Sequence, residues 1–269
     1  MHRTVSSVAG WKIECWEQAS GDAASQDAQL VWPDPRGQRL RLAVIDGVTP
    51  SLRCRTVVGV DGAMYAASVV RLALQHAERP LDECVLAANR HLYDSTLPRS
   101  RDQTQTCVTA ADVFPDGRVE LVRAGDCDAF ARTAAGWTPM GRGSALTART
   151  AAAWDEWQRR NAGVTREARH AAEETFLGRP EAWTSTAVGR FARPNVRRFS
   201  LAGVQELVLA SDGARLADHA LDDLPGWLDG LRNWERERPG LGLASEKRHD
   251  DVTVIRISRA RLAQMLAAA

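Results

Sequence analysis

The stretch Leu42-Ala43-Val44-Ile45-Asp46-Gly47 is the one from which the rest of the reading follows. Four consecutive apolar side chains, two of them β-branched, make a short buried strand, and that strand stops on an acid and a glycine. A strand end holds a carboxylate rigidly, and the glycine after it lets a backbone or a ligand come close. The arrangement returns in Leu207-Val208-Leu209-Ala210-Ser211-Asp212-Gly213, and Asp250-Asp251 opens a third apolar run over 252–257. Asp27, ahead of Ala28 and a short apolar stretch, and Asp126 in Ala124-Gly125-Asp126 are two further candidates. A single Asp-Gly pair is the ordinary mark of a turn. Turns do not require aspartate after strand after strand.

Carboxylates drawn together from distant parts of a chain repel one another unless cations neutralise them. Oxygen ligands without His or Cys favour Mg2+ or Mn2+ over Zn2+. Two such ions roughly 3.5–4 Å apart can share a water, lower its pKa and stabilise charge on a transferring phosphoryl group.

Around these sites, β-like runs are expected at 40–45, 106–114, 119–123, 129–133, 196–201, 206–210 and 252–257, with Pro115-Asp116-Gly117 as a hairpin turn. Helical spacing marks 63–78, with Asp61 as its cap and Tyr65, Val69, Leu72 and nearby alanines as its apolar face. Further helices are expected over 81–93, 145–176 and 225–236, and from Arg259 to the end. Elements grouped in blocks rather than in strict βαβ alternation indicate α+β.

The bulk properties narrow the function classes. At 269 residues, one large domain is the first expectation, and 44% hydrophobic content supplies a sizeable core. A net charge of +1 gives no support for nucleic-acid or anionic-membrane binding. The five cysteines are scattered without CxxC spacing, so free thiols in a reducing cytoplasm are expected rather than a thiolate metal site. No apolar run approaches the roughly 18 residues of a membrane span, and the N-terminus makes a poor signal peptide.

With these residues in place, the chain resembles the metal-dependent, type-2C (PPM) protein phosphatase family, as a divergent bacterial-type member. Ala43-Val44-Ile45-Asp46-Gly47 is similar to that family's first Asp-Gly motif, and Val208-Leu209-Ala210-Ser211-Asp212-Gly213 to its second. Ser25-Gln26-Asp27-Ala28 resembles its opening Asn-Glu/Gln-Asp-Ala element, and Ala124-Gly125-Asp126-Cys127 its Gly-Asp-Ser segment. His249-Asp250-Asp251-Val252-Thr253 resembles its closing Asp-Asn/Asp-x-Thr strand. The five occur in the family's order, between positions 25 and 257.

The resemblance implies a β-sandwich of two antiparallel sheets flanked by pairs of helices, four layers in all, with a two-metal site at one end. It implies a single domain over 1–269, carrying a flap-like helical insertion at about 145–176. By the same carry-over, Asp46 bridges two Mn2+ or Mg2+ ions and the Gly47 carbonyl helps hold one of them. Asp212 and Asp250 complete the same ion's surroundings, Asp27 orients water, and Asp126 holds a third, weaker ion. The implied reaction is hydrolysis of a phosphate monoester by direct attack of a water bridging the ions. Phosphoserine or phosphothreonine on a protein is the first substrate class. The alternatives are a small phosphorylated metabolite, or a pseudophosphatase that only binds.

Departures from the family pattern surround the phosphate. Val48-Thr49-Pro50 stands where the family has His or Met and then glycines, and Asp22 stands where many members carry a phosphate-binding Arg. Arg53 and Arg55 are the substitute phosphate contacts, and His249 is the candidate proton donor. Solvated loop arginines are the plainer reading of the first two. Cys127 lacks a neighbouring base and reads as a small buried residue rather than a nucleophile.

Overall fold

Strand β4 (Leu40–Gly47) is buried on both faces for almost its whole length, which explains its near-continuous apolar run. Leu40, Leu42 and Val44 face one cluster, shared with Ile13, Leu207, Leu209, Ile255 and Ile257. Ala43 and Ile45, one step out of phase, face a second cluster made with two helices. The protein is seen here as a computed structural model that describes residues 1–8, 10–20, 25–48, 61–76, 78–96, 104–141, 146–216, 218–237 and 250–259.

Five strands form the sheet that holds β4: β3 (Ala28–Pro33), β4, β5 (Thr106–Val113), β6 (Val119–Ala124) and β9 (Arg197–Leu201), in that order and all antiparallel. The facing sheet runs β1 (His2–Val8), β2 (Trp11–Gln18), β11 (Val252–Arg259), β10 (Glu206–Ala210), β7 (Asp128–Thr133), β8 (Gly136–Gly141), again antiparallel. Helices α1 (Gly62–Leu74) and α2 (Leu81–Ser95) cover the outer face of the five-stranded sheet. Helix α5 (Leu224–Arg236) places Leu224, Leu228 and Leu231 on the outer face of the other sheet, against Val208, Val254 and Phe130. The result is the expected four-layer α+β sandwich.

The Pro115-Asp116-Gly117 turn joins β5 to β6, and Asp61 Oδ1 caps α1 through the N–H groups of Ala63 at 2.9 Å and Met64 at 3.2 Å, both as expected. The face of α1 differs from expectation. Its buried stripe is Ala63, Ala66, Ala67, Val70 and Leu74, while Tyr65 and Leu72 point to solvent. Small side chains let the helix lie close to the sheet, so the alanines, not the largest residues, form the contact. The helical block expected over 145–176 is two helices, α3 (Ala148–Arg160) and α4 (Arg166–Leu177), separated at Asn161. Trp154 stacks on Trp157 with centroids 5.2 Å apart and meets Phe176 at 5.8 Å, so these aromatics pack the hairpin's own small core. Arg259, expected to open a helix, ends β11; the remainder of that helix lies outside the described residues.

Beneath α1 and α2 lies an ion pair. Arg41 of β4 binds Asp112 of β5 through Nε–Oδ1 at 2.7 Å and Nη2–Oδ2 at 2.8 Å. Its remaining donors reach the carbonyls of Leu74 at 3.1 Å, His76 at 3.2 Å and Arg79 at 2.8 Å, where α1 ends and the chain turns into α2. The cysteines described, Cys15, Cys84, Cys107 and Cys127, are buried free thiols. Among the described residues no helix is long and apolar enough to cross a membrane.

Candidate active site

Both sheets end at the same place, and the acidic residues gather there. Ala28 pairs with Ile45, so Asp27, one residue earlier, stands at the position across from Asp46. Asp46 in turn pairs with Cys107. The chain leaves β6 after Ala124, crosses from one sheet to the other through Gly125-Asp126-Cys127 and enters β7 at Asp128. Asp128 pairs with Ala210, the last residue of β10, and Ser211 N donates to Thr253 O at 2.9 Å, which brings Asp212 beside Asp250 and Asp251. Residues 27 and 46 therefore come from one sheet's end, 212 and 250 from the other's, and 126 from the crossing between them.

Contacts at the site explain the residue types. Thr106 Oγ1 donates to the Asp46 carbonyl at 2.6 Å and fixes that peptide. Gly47 faces the Gln26 carbonyl, and a Cβ there would sit 2.7 Å from that oxygen; a Cβ on Gly213 would overlap the Asp251 carbonyl. Both glycines are required by close packing of the segments that bear the acids. Gly125 N donates to Ser185 Oγ at 3.0 Å, and Thr106 bridges to Val188, so the chain returning from α4 lines the same end.

The electrostatics are those of crowded carboxyls. Burial raises Asp46 well above the ordinary carboxylate range, and the charges of Asp27, Asp212, Asp126 and Asp250 raise it further. Asp27 is pushed up to about 7, chiefly by burial; the Ser211 and Thr253 hydroxyls oppose the rise and the Asp251 charge adds to it. Asp212 rises to about 6, through desolvation first and then Asp126 and Asp250, with Asp46 and Arg215 opposing. Asp212 is exposed, so solvent screens these effects there more than at Asp27. Cys127 is held far above the ordinary thiol range by complete burial and the surrounding acids, so it is an inert packing residue.

Two observations bear on whether this end could hold divalent cations. Asp27 Oδ2 is buried with no hydrogen-bond partner, an arrangement that costs free energy unless something positive or a bound water meets it. Against this, no three His, Cys, Asp or Glu side chains among the described residues are arranged as a ready cage for one ion. The two are compatible. Mg2+ and Mn2+ keep several waters and need only one or two carboxylates each, unlike an all-protein cage. An all-oxygen donor set with an orphaned buried acceptor suits such ions.

Five of the expected residues, Asp27, Asp46, Asp126, Asp212 and Asp250, and Gly47 with them, are thus brought to one end of the sandwich. Arg53, Arg55 and His249 lie outside the described residues. Three further residues hold the site through contacts that only the structure shows. Asp251, noted only as the neighbour of Asp250, accepts from Ser20 N and Gln26 N at 2.7 Å each. The partners of Thr106 and Arg215 are distant in sequence, so no local pattern shows these contacts.

Comparisons with known proteins agree with this architecture. No family model matches the chain, and no curated protein matches it in sequence. Solved structures do match. RsbX in complex with magnesium superposes with TM-score 0.59 at 10% identity, over 96% of this chain and all of that one. PppA, a regulatory component of the T6SS in Pseudomonas aeruginosa, matches with TM-score 0.57 at 14% identity, over 93% of this chain and 98% of that one. The serine/threonine phosphatase Stp1 from Staphylococcus aureus matches with TM-score 0.54 at 17% identity, over 91% and 94%.

Proposed function

Starting from a chain with the type-2C phosphatase fold, we propose that this protein is a metal-dependent phosphatase of phosphate monoesters, with phosphoserine or phosphothreonine on proteins as its first substrate class. The observation that carries the reading is the set of aspartates at one end of the sandwich, with Asp27 Oδ2 buried and unpartnered among them. Divalent cations held there by Asp46, Asp212, Asp250 and the Gly47 carbonyl, with Asp126 serving a further one, would activate water and neutralise phosphoryl charge.

The chain's own residues have distinct tasks in this reading. Asp27 offers Oδ2 as the acceptor that orients the attacking water. Without cations, burial raises its carboxyl to about 7. Asp46 is held by Thr106 on one side and by the strand ladder on the other, so the backbone that carries its carboxylate is fixed. Arg53 and Arg55 remain proposed phosphate contacts and His249 a proposed proton donor. The helical pair α3–α4 is proposed as a flap beside the site. The single domain over 1–269 and the cytoplasmic setting belong to the same proposal, the latter supported by the buried free thiols.

The test is hydrolysis of a generic aryl phosphate in Mn2+, followed by comparison of phosphopeptides with small phosphorylated metabolites. Asp46→Asn and Asp212→Asn should each abolish turnover, as should chelation. Turnover that survives either treatment sinks the mechanism. Mn2+ binding without turnover of any phosphate ester would favour the binding-only alternative.

A further inference from the structure

Arg215 is the only non-glycine residue with positive φ among the described residues, at φ 47° and ψ 44°. That conformation is unfavourable for an L side chain and persists only where its surroundings hold it. Here the turn is held three times. Arg215 N donates to Asp212 O at 2.9 Å, the Trp227 indole N–H donates to Ala214 O at 3.1 Å, and Arg215 Nε donates to Glu235 Oε1 at 3.2 Å.

Glu235 does not need Arg215 as its counter-ion. Arg232, one turn earlier on α5, already binds Glu235 Oε2 at 2.8 Å and uses its second amine on the Asp250 carbonyl at 2.8 Å. Arg215 is therefore a surplus guanidinium, three residues from Asp212, with 24% of its side chain exposed. Its Nη amines make no hydrogen bond among the described residues. Its charge acts on Asp212 at the edge of the acidic site, where it would add to the cations that meet an anionic substrate. A planar fork with two open amines matches two oxygens of one phosphate.

We propose that Arg215 grips the substrate phosphate and that Glu235 is the positioning residue that aims it. The inference rests on the phosphatase reading above and adds a described residue to Arg53 and Arg55, which that reading proposes as phosphate contacts. Strain at Arg215 is accepted because a residue at ease in that turn, such as glycine, would present no charge.

Inorganic phosphate is the probe, followed as a competitive inhibitor of aryl-phosphate hydrolysis and by calorimetric titration of the Mn2+-loaded protein. Arg215→Gly should raise both KM and the phosphate Kd roughly tenfold or more. It should not weaken Mn2+ binding and not lower the thermal midpoint, since glycine is comfortable at this φ. Arg215→Lys should recover part of the binding, having the charge without the fork. Glu235→Gln should raise KM while kcat stays near wild type. If Arg215→Gly does not fold, Arg215→Lys carries the test, and an unchanged phosphate Kd overturns the proposal. Tighter Mn2+ binding with unchanged phosphate binding would show Arg215 to be only a counter-ion of the acids, and also overturns it. A wild-type protein inert toward aryl phosphate in Mn2+ removes the phosphatase reading and the inference together; an active wild type with an indifferent Arg215→Gly removes the inference alone.

Discussion

The two carboxylate oxygens of Asp251 each accept a backbone N–H from the segment leading into β3: Ser20 N to Oδ1 and Gln26 N to Oδ2, both at 2.7 Å. Asp251 stands just ahead of β11 in one sheet, while Gln26 precedes Asp27 at the edge of the other. One buried side chain thus ties an acid of the five-stranded sheet to the strand that begins beside Asp250. Asp251→Ala should lower stability by about 2–3 kcal/mol, since it removes the charged acceptor of two part-buried N–H groups. Asp251→Asn, which keeps one acceptor, should fall between. Urea unfolding measures both, and Mn2+ titration of the folded fraction should weaken in the same order.

Gly213 lies against the Asp251 carbonyl with no room for a methyl group. Gly213→Ala should therefore displace Asp212 from Asp250 and cost about 1–3 kcal/mol of stability through overpacking. Loss of Mn2+ affinity should exceed what the stability change explains. Wild-type affinity in Gly213→Ala would show that the contact is slack.

Arg41 and Asp112 form a buried pair remote from the acids, at the far end of β4. Arg41→Met leaves Asp112 charged and buried, beside Arg39 at 3.0 Å as its remaining partner, and should destabilise the fold by about 3–5 kcal/mol. Converting both, Arg41→Met with Asp112→Leu, should recover much of that loss. Metal affinity of the folded protein should not change in either variant. A drop in Mn2+ affinity would show that β4 transmits strain from one end to the other.

Without bound cations, the raised carboxyls make stability pH-dependent. Asp27 and Asp212 are pushed to about 7 and about 6, above their ordinary 3.8. Between 3.8 and those values the folded state holds more protons than the unfolded chain. Their contribution is therefore fully present below the ordinary carboxylate range and is lost as pH rises through about 6 to 7. In chelator-treated protein, Asp27→Asn should accordingly stabilise relative to wild type at about pH 8 and have little effect at about pH 4. Thermal melts at both pH values measure this difference. Mn2+ should restore wild-type stability at the higher pH by binding the folded state alone. A wild type that matches Asp27→Asn at every pH would falsify the buried placement of the Asp27 carboxyl.

The strand-ending acids were legible because a strand buried on both faces must be apolar along its length, so the residue that breaks the run stands out. β4 and β10 satisfied this, and Asp46 and Asp212 were found with them. β1 was not legible: His2–Val8 is an edge strand exposed along nearly its whole length, and its ladder is made by backbone groups that leave no apolar signature. The exposed Tyr65 and Leu72 misled for the converse reason. Helical spacing shows which residues share a face but not which face a neighbour covers, and here the alanines met the sheet.

By itself the sequence determined that five acids lie at strand ends or turns, because local polarity and glycine placement are written residue by residue. Only the tertiary structure decided what lies around them. The hold of Asp251 on Gln26, of Thr106 on Asp46 and of Glu235 on Arg215 links residues 225, 60 and 20 positions apart. Such partners are chosen by where two sheets and a helix come to rest, and a hydrogen bond across that distance leaves no periodic trace in the chain.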